Sequence, residues 1–132
     1  LTPLMAAARG GYDEILNLFL ENISDVQSDD IDSSNVEYNN NCIKDIDLQD
    51  QYGRTALIIA ASVGKTTSCK LLIKHGADIN SQSDNGTTAL MAAIDGKAEI
   101  ECIEYLIEEA NSIVSLCNIQ GASALSFAAK RG

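Results

Sequence analysis

The triplet Gly64-Lys65-Thr66 ends as phosphate-cradling loops end, with a Lys and a hydroxyl placed for the terminal phosphates and an earlier Gly that lets the backbone approach. Ile59 stands where that earlier Gly is required, and a helical pattern precedes the triplet where such a loop needs a strand. Asp30, Asp32 and Ser34 alternate like the oxygen donors of a calcium loop, yet the sixth position is not Gly and the twelfth is Asn41 instead of a bidentate Glu. His75 is the single histidine, and Cys42, Cys69, Cys102 and Cys117 show no C-x-x-C spacing, so neither a Cys–His pair nor a zinc set arises. Glu108-Glu109 and Glu101 with Glu104 follow one helix as a solvated face, not as an acid and its base. Asn22-Ile-Ser24 and Asn85-Gly-Thr87 match the glycosylation sequon, the second of them being ordinary turn chemistry. No catalytic residue, metal set, cofactor or small-molecule substrate is expected, and the chain does not read as an enzyme.

What positions these residues is a repeat. Thr2-Pro-Leu-Met-Ala-Ala-Ala8, Thr55-Ala-Leu-Ile-Ile-Ala-Ala61, Thr88-Ala-Leu-Met-Ala-Ala-Ile94 and Ser123-Ala-Leu-Ser-Phe-Ala-Ala129 begin 53, 33 and 35 residues apart. A period near 33 marks a small unit that cannot bury its apolar face alone and must stack on copies of itself. In the second copy, Asp50 to Gly53 is a polar turn and Thr55 an N-cap. A short helix follows over Ala56–Ala61, with small Ala60 and Ala61 permitting close approach and Gly64 ending the run. Cys69, Leu72 and Ile73 give i, i+3, i+4 spacing to a second helix over Thr66–Lys74, which Gly76 closes. Asp78-Ile-Asn80 then repeats Asp45-Ile-Asp47 at a distance of 33.

In copy one Ile15, Leu16, Phe19 and Leu20 form the expected second-helix face; in copy three the face is Ile103, Leu106 and Ile107, with two extra residues between Gly96 and Ser115 and an irregular helix end. Copy four carries one helix, so Leu125, Phe127 and Ala128 lack their own second helix, and the chain reads as a segment of something longer.

This unit resembles the ankyrin repeat, whose pattern runs about D-x-x-G-x-T-P-L-H-x-A-A, then G, a Leu-rich helix and G-A-D-(V/I)-N. His75-Gly-Ala-Asp-Ile-Asn80 reproduces the closing signature, while Ala56 and Ala89 replace the family's Pro and Ile58 and Met91 its His. The resemblance covers residues 1–23 and 45–132. It implies an all-α fold, an ankyrin-type α-solenoid of stacked helix-turn-helix repeats joined by short β-hairpin-like loops. One domain over 1–132 follows: repeat 1 over about 1–23, an acidic loop insertion over about 24–44, repeat 2 over 45–77, repeat 3 over 78–112 and a partial repeat 4 over 113–132.

In such arrays hairpin tips and first helices line a concave groove. Carried onto this chain, the tips are Gln51, Tyr52 and Arg54, then Asp84, Asn85 and Thr87, then Ile119, Gln120 and Ala122; the first-helix positions are Arg9, Ser62, Val63, Asp95, Lys130 and Arg131. Tyr52 and Arg54 are of the types enriched at interface hot spots. The expected function is a non-catalytic protein-interaction module, a scaffold or adaptor whose partner is a protein. The alternative is the targeting region of a larger enzyme such as a protein kinase or ubiquitin ligase, and a third reading is a structural spacer.

Composition narrows the partners. Nineteen acids against nine Lys and Arg give a net charge of −10, which opposes nucleic acid and anionic membrane surfaces. No apolar run is long enough to cross a bilayer and no secretory leader opens the chain, so a cytoplasmic or nuclear protein with reduced thiols is expected rather than a secreted one. The acidic, Ser-rich insertion is expected to be a surface loop.

Overall fold

The computed structural model describes residues 2–25, 46–96, 98–109 and 115–131, and the fold is an α-solenoid. Its helices are α1 (Pro3–Gly10), α2 (Asp13–Asp25), α3 (Ala56–Ser62), α4 (Thr66–Lys74), α5 (Ala89–Asp95), α6 (Ile100–Glu104) and α7 (Ala124–Arg131). From α6 the chain continues directly into a π-helical turn, Tyr105–Glu109. The first two residues of the expected insertion belong to α2; the remainder of the insertion and Asp45, the first residue of repeat 2, lie outside the described residues.

Three of the four first helices start for a local reason of one kind, a threonine cap. The hydroxyls of Thr2, Thr55 and Thr88 accept from the backbone N–H of Met5 (3.2 Å), Ile58 (3.3 Å) and Met91 (3.3 Å), supplying a partner to one of the otherwise orphaned first-turn donors. Thr55 is fully buried, so water could not stand in for that bond.

The helices form two layers. First helices α1, α3, α5 and α7 stack in sequence order, and α2, α4 and α6 lie behind them, each against its own repeat's first helix and its neighbours in the second layer. Ala60, Ala61 and Ala93 are fully buried, and these small side chains let the first helices approach while Leu57, Leu90 and Met91 fill the space between layers. Ile58 and Met91, standing in for the family's His, are buried in this core. Gly96, the C-cap of α5, sits so close to the Ser62 carbonyl at the end of α3 that a Cβ there would overlap it.

Two expectations about the second layer are corrected. Among the described side chains of α2, Leu16 and Leu20 are fully buried, Phe19 is half-buried and Ile15 is 48% exposed. Among the described elements the helix packs mainly on α1 and α4, which shields an i, i+4 stripe and leaves the side chain one position earlier turned to solvent. In the third repeat Leu106 is buried but Ile107 is 42% exposed. The π turn also locates one of the two extra residues. The buried pair Cys69 and Leu72 is three residues apart, whereas its counterpart Cys102 and Leu106 is four apart. A π turn absorbs one inserted residue while keeping both side chains on the buried face. The other extra residue falls between Leu106 and Asn118.

Across the second layer, Ser68 Oγ donates to Asp13 Oδ1 (2.9 Å), joining α4 to α2. Lys70 Nζ meets Glu101 Oε1 at 3.1 Å, joining α4 to α6. Both members of the Lys70–Glu101 pair are well exposed, so it adds little to stability. Among the described residues no helix is long and apolar enough to cross a membrane.

Candidate functional site

The hairpin tips are built from one repeated turn. Asp50 Oδ1 accepts from the backbone N–H of Tyr52 and Arg54, both at 2.9 Å, and Asn118 Oδ1 accepts from Gln120 and Ala122 at the same distances. In the third copy Ser83 Oγ accepts from Thr87 N–H at 3.2 Å. Gly53, Gly86 and Gly121 occupy the left-handed region at φ between 74° and 77°, which is why the position is glycine in each.

The tips bond to one another and so share one orientation. Asp84 N–H donates to Tyr52 O (3.0 Å) and Ile119 N–H to Asn85 O (2.9 Å). Gln49 Nε2 donates to Gly53 O (3.0 Å) and Gln82 O (3.4 Å); 33 residues on, Gln82 Nε2 donates to Gly86 O (2.8 Å) and Cys117 O (3.0 Å). Each glutamine thus closes its own turn and ties it to the next repeat. Neither was singled out from the sequence, although their 33-residue spacing was the available signal. Apart from an isolated bridge between Cys117 and Ser123, these turns form no β-ladder among the described residues.

Between the tips and first helices of repeats two and three lies a groove of about 460 Å³. It is lined by Tyr52, Arg54, Ser62, Asn85, Thr87 and Asp95 of the expected positions. Ile58, Ser83, Ala92 and Gly96 complete the wall, none of which the sequence reading had placed there. Gln51 and Asp84 are exposed beside the groove, and Val63 is exposed outside its lining. Ile119 and Gln120 are exposed on the next tip, Ala122 is half-buried there, and Arg9 is exposed near the end of α1. Asp95 also belongs to a second cavity of about 240 Å³, shared with Ile94, Phe127, Lys130 and Arg131, so the two hollows meet at its side chain.

The wall is stiffened at Arg54. Its Nε donates to Asp50 Oδ2 at 2.8 Å and its NH2 group lies 2.7 Å from the same oxygen. The guanidinium is 5.0 Å from the centroid of the Tyr52 ring. Burial works to raise the Asp50 pKa, but the Arg54 side chain, then the backbone N–H groups of Arg54 and Tyr52, outweigh it and hold the carboxyl below its ordinary 3.8. Asp50 therefore has both oxygens engaged, with a side chain only 3% exposed. Tyr52, 57% exposed, and Arg54, 42% exposed, are left as a pre-organised aromatic and cationic surface.

Nothing in the lining is arranged for bond-making. The residues are a phenol, a paired guanidinium, hydroxyls, an amide and one carboxylate, with no His or Cys to act as nucleophile or base. Cys69 and Cys102 are fully buried in the second layer, where contact with the Cys102 sulfur and then burial push the Cys69 thiol above its ordinary range. No group of three or more metal-ligating side chains occurs among the described residues.

A family model described as Ankyrin repeats (3 copies) matches residues 26–117, and a model of the single Ankyrin repeat matches residues 1–31. Similar proteins include the Ankyrin repeat and KH domain-containing protein mask-1 of Caenorhabditis elegans, 34% identical over 141 residues covering 99% of this chain and 5% of that protein. The human Ankyrin repeat and KH domain-containing protein 1 is 36% identical over 88 residues, 67% of this chain and 3% of that protein. M-phase phosphoprotein 8 of Rattus norvegicus is 40% identical over 63 residues, 48% of this chain and 7% of that protein. The chain thus spans a small fraction of the length of these relatives.

Proposed function

The chain belongs to the ankyrin repeat family, whose repeats are protein-interaction modules, and on that premise we propose that it is a non-catalytic scaffold or adaptor segment whose protein partner lies in the groove between repeats two and three. The observation that carries this reading is the convergence of Tyr52, Arg54, Asn85, Thr87 and Asp95 on one open hollow. Exposed aromatic and Arg side chains held in place before binding reduce the ordering cost of association. The net charge of −10 over the whole chain weighs against nucleic acid and acidic membrane as partners. The buried thiols Cys69 and Cys102 support placing the protein in a reducing compartment, the cytoplasm or nucleus.

The test uses the full-length protein and its co-purifying partner. Tyr52→Ala and Asn85→Ala should each weaken retention of that partner, while Glu104→Ala on the exposed side of α6 should not, and all three should melt close to the parent. Equal binding by all four proteins, or loss only with Glu104→Ala, would place the interface elsewhere. The targeting-region alternative assigns this same groove to substrate recruitment. Under it, Tyr52→Ala would lower turnover of the recruited protein by an attached catalytic domain and leave a generic substrate untouched.

A further inference from the structure

Beyond the existence of a groove, its charges specify what fits. The residues seven positions after the N-caps Thr2, Thr55 and Thr88 and after Ser123 are Arg9, Ser62, Asp95 and Lys130. At this one register the solenoid therefore reads positive, neutral, negative, positive from α1 through α3 and α5 to α7. Asp95 and Lys130 are exposed and neither makes an ion pair with any described residue. They line one cavity together, and Asp95 forms the wall that this cavity shares with the Tyr52 and Arg54 groove.

We infer that the occupant is an extended peptide segment of a protein partner, crossing the first helices, with a basic side chain over Asp95 and an acidic side chain over Lys130. This rests on the groove reading above and adds a charge pattern and a spacing to it. Adjacent packed helices lie about 8–10 Å apart, and an extended chain advances about 3.3 Å per residue, so the two charges on the peptide are roughly three residues apart. The opposed signs also fix direction, because reversing the peptide would set like charge against like. The part of the segment beyond the basic residue runs over Tyr52, whose exposed ring offers an apolar face. The NH1 group of Arg54, which is not among the atoms bonded to Asp50, is available to a backbone carbonyl.

The probes are four fluorescein-labelled ten-residue peptides of identical composition, each with one Lys, one Glu and one Leu in a Gly/Ser background. Two place Lys and Glu three residues apart, with the Leu beyond the Lys in one and beyond the Glu in the other, so that turning a peptide end for end cannot satisfy both charges and Tyr52 at once. The other two place them adjacent or seven apart, with the Leu beyond the Lys. Binding is followed by anisotropy, and by amide chemical shifts up to about 1 mM peptide to reach weak complexes. The three-residue spacing with the Leu beyond the Lys should bind roughly threefold to tenfold more tightly than the other three peptides, the amount expected of two exposed ion pairs. The exchanged protein Asp95→Lys/Lys130→Asp should invert the preferred order.

Order preference that survives the exchange, or equal affinity for all four peptides, would overturn the inference. Absence of any shift in the groove amides would overturn it as well. The two layers of argument separate in Tyr52→Ala: if it weakens all four peptides alike while the exchange changes nothing, the groove reading stands and the charge pattern fails. If Tyr52→Ala has no effect but the exchange inverts the order, the charged track binds without the Tyr52 hollow and the groove assignment is what fails.

Discussion

Arg54→Ala tests how a groove side chain is held. The substitution removes two contacts, 2.8 and 2.7 Å long, from a carboxylate whose side chain is only 3% exposed, and leaves Asp50 Oδ2 without its cation. A hydrogen bond to a charged group is worth about 1.5–3 kcal/mol, but Arg54 is 42% exposed and water enters the vacated space, so a loss of about 1–2 kcal/mol is expected. That corresponds to a fall in Tm of roughly 3–8 °C for a chain of this size.

Asp50→Asn should cost less, under about 1 kcal/mol, because Asn118 shows that an amide oxygen can accept the same two backbone N–H groups. The double variant should be no less stable than the additive sum, with a coupling of about 1 kcal/mol between the two positions. Urea denaturation of the four proteins supplies the cycle. The pH dependence has a defined sign: the folded pKa of Asp50 lies below its unfolded value, so its stabilisation is present above about pH 4 and is lost as pH falls through the folded pKa. The gap between parent and Arg54→Ala should therefore close on acidification. A variant that melts with the parent at neutral pH, or a gap unchanged down to about pH 2, would refute the argument.

Gly96→Ala should destabilise by about 1–3 kcal/mol in urea melts, because its Cβ would overlap the Ser62 carbonyl and force α3 and α5 apart. Deleting Glu104 should leave the helical dichroism and melting transition nearly intact, since it restores the three-residue spacing of Cys69 and Leu72 to Cys102 and Leu106; deleting Lys70 from α4 should disrupt folding by rotating Leu72 off the buried face. In a Cys42→Ser background, a chromogenic disulfide reagent should react rapidly with Cys117, which is exposed, and only on unfolding with Cys69 and Cys102; three fast thiols would mean that the second layer is open.

Much of this architecture was legible because its causes are local. A threonine caps the helix that begins one residue later, Gly53 permits a turn inside its own tetrad, and Cys69 with Leu72 marks a buried face within one helical turn. Each of these signals recurs in three of the four copies, and together they set the order of elements and their α-solenoid class from the residues alone.

Tertiary structure alone decided what lies between copies. Arg54 is anchored by an Asp50 carboxylate that also organises the turn, Gln49 and Gln82 bridge turns 33 residues apart, and Asp95 joins two hollows. Ile15 belongs to an apolar pattern yet faces solvent, because coverage depends on which helices are packed beside α2 and not on the pattern itself. Periodicity within about four residues is set by backbone sterics and hydrogen bonding, so a sequence carries it outright. Contacts between side chains a whole repeat apart exist only once the first helices have stacked and brought them within a few ångströms.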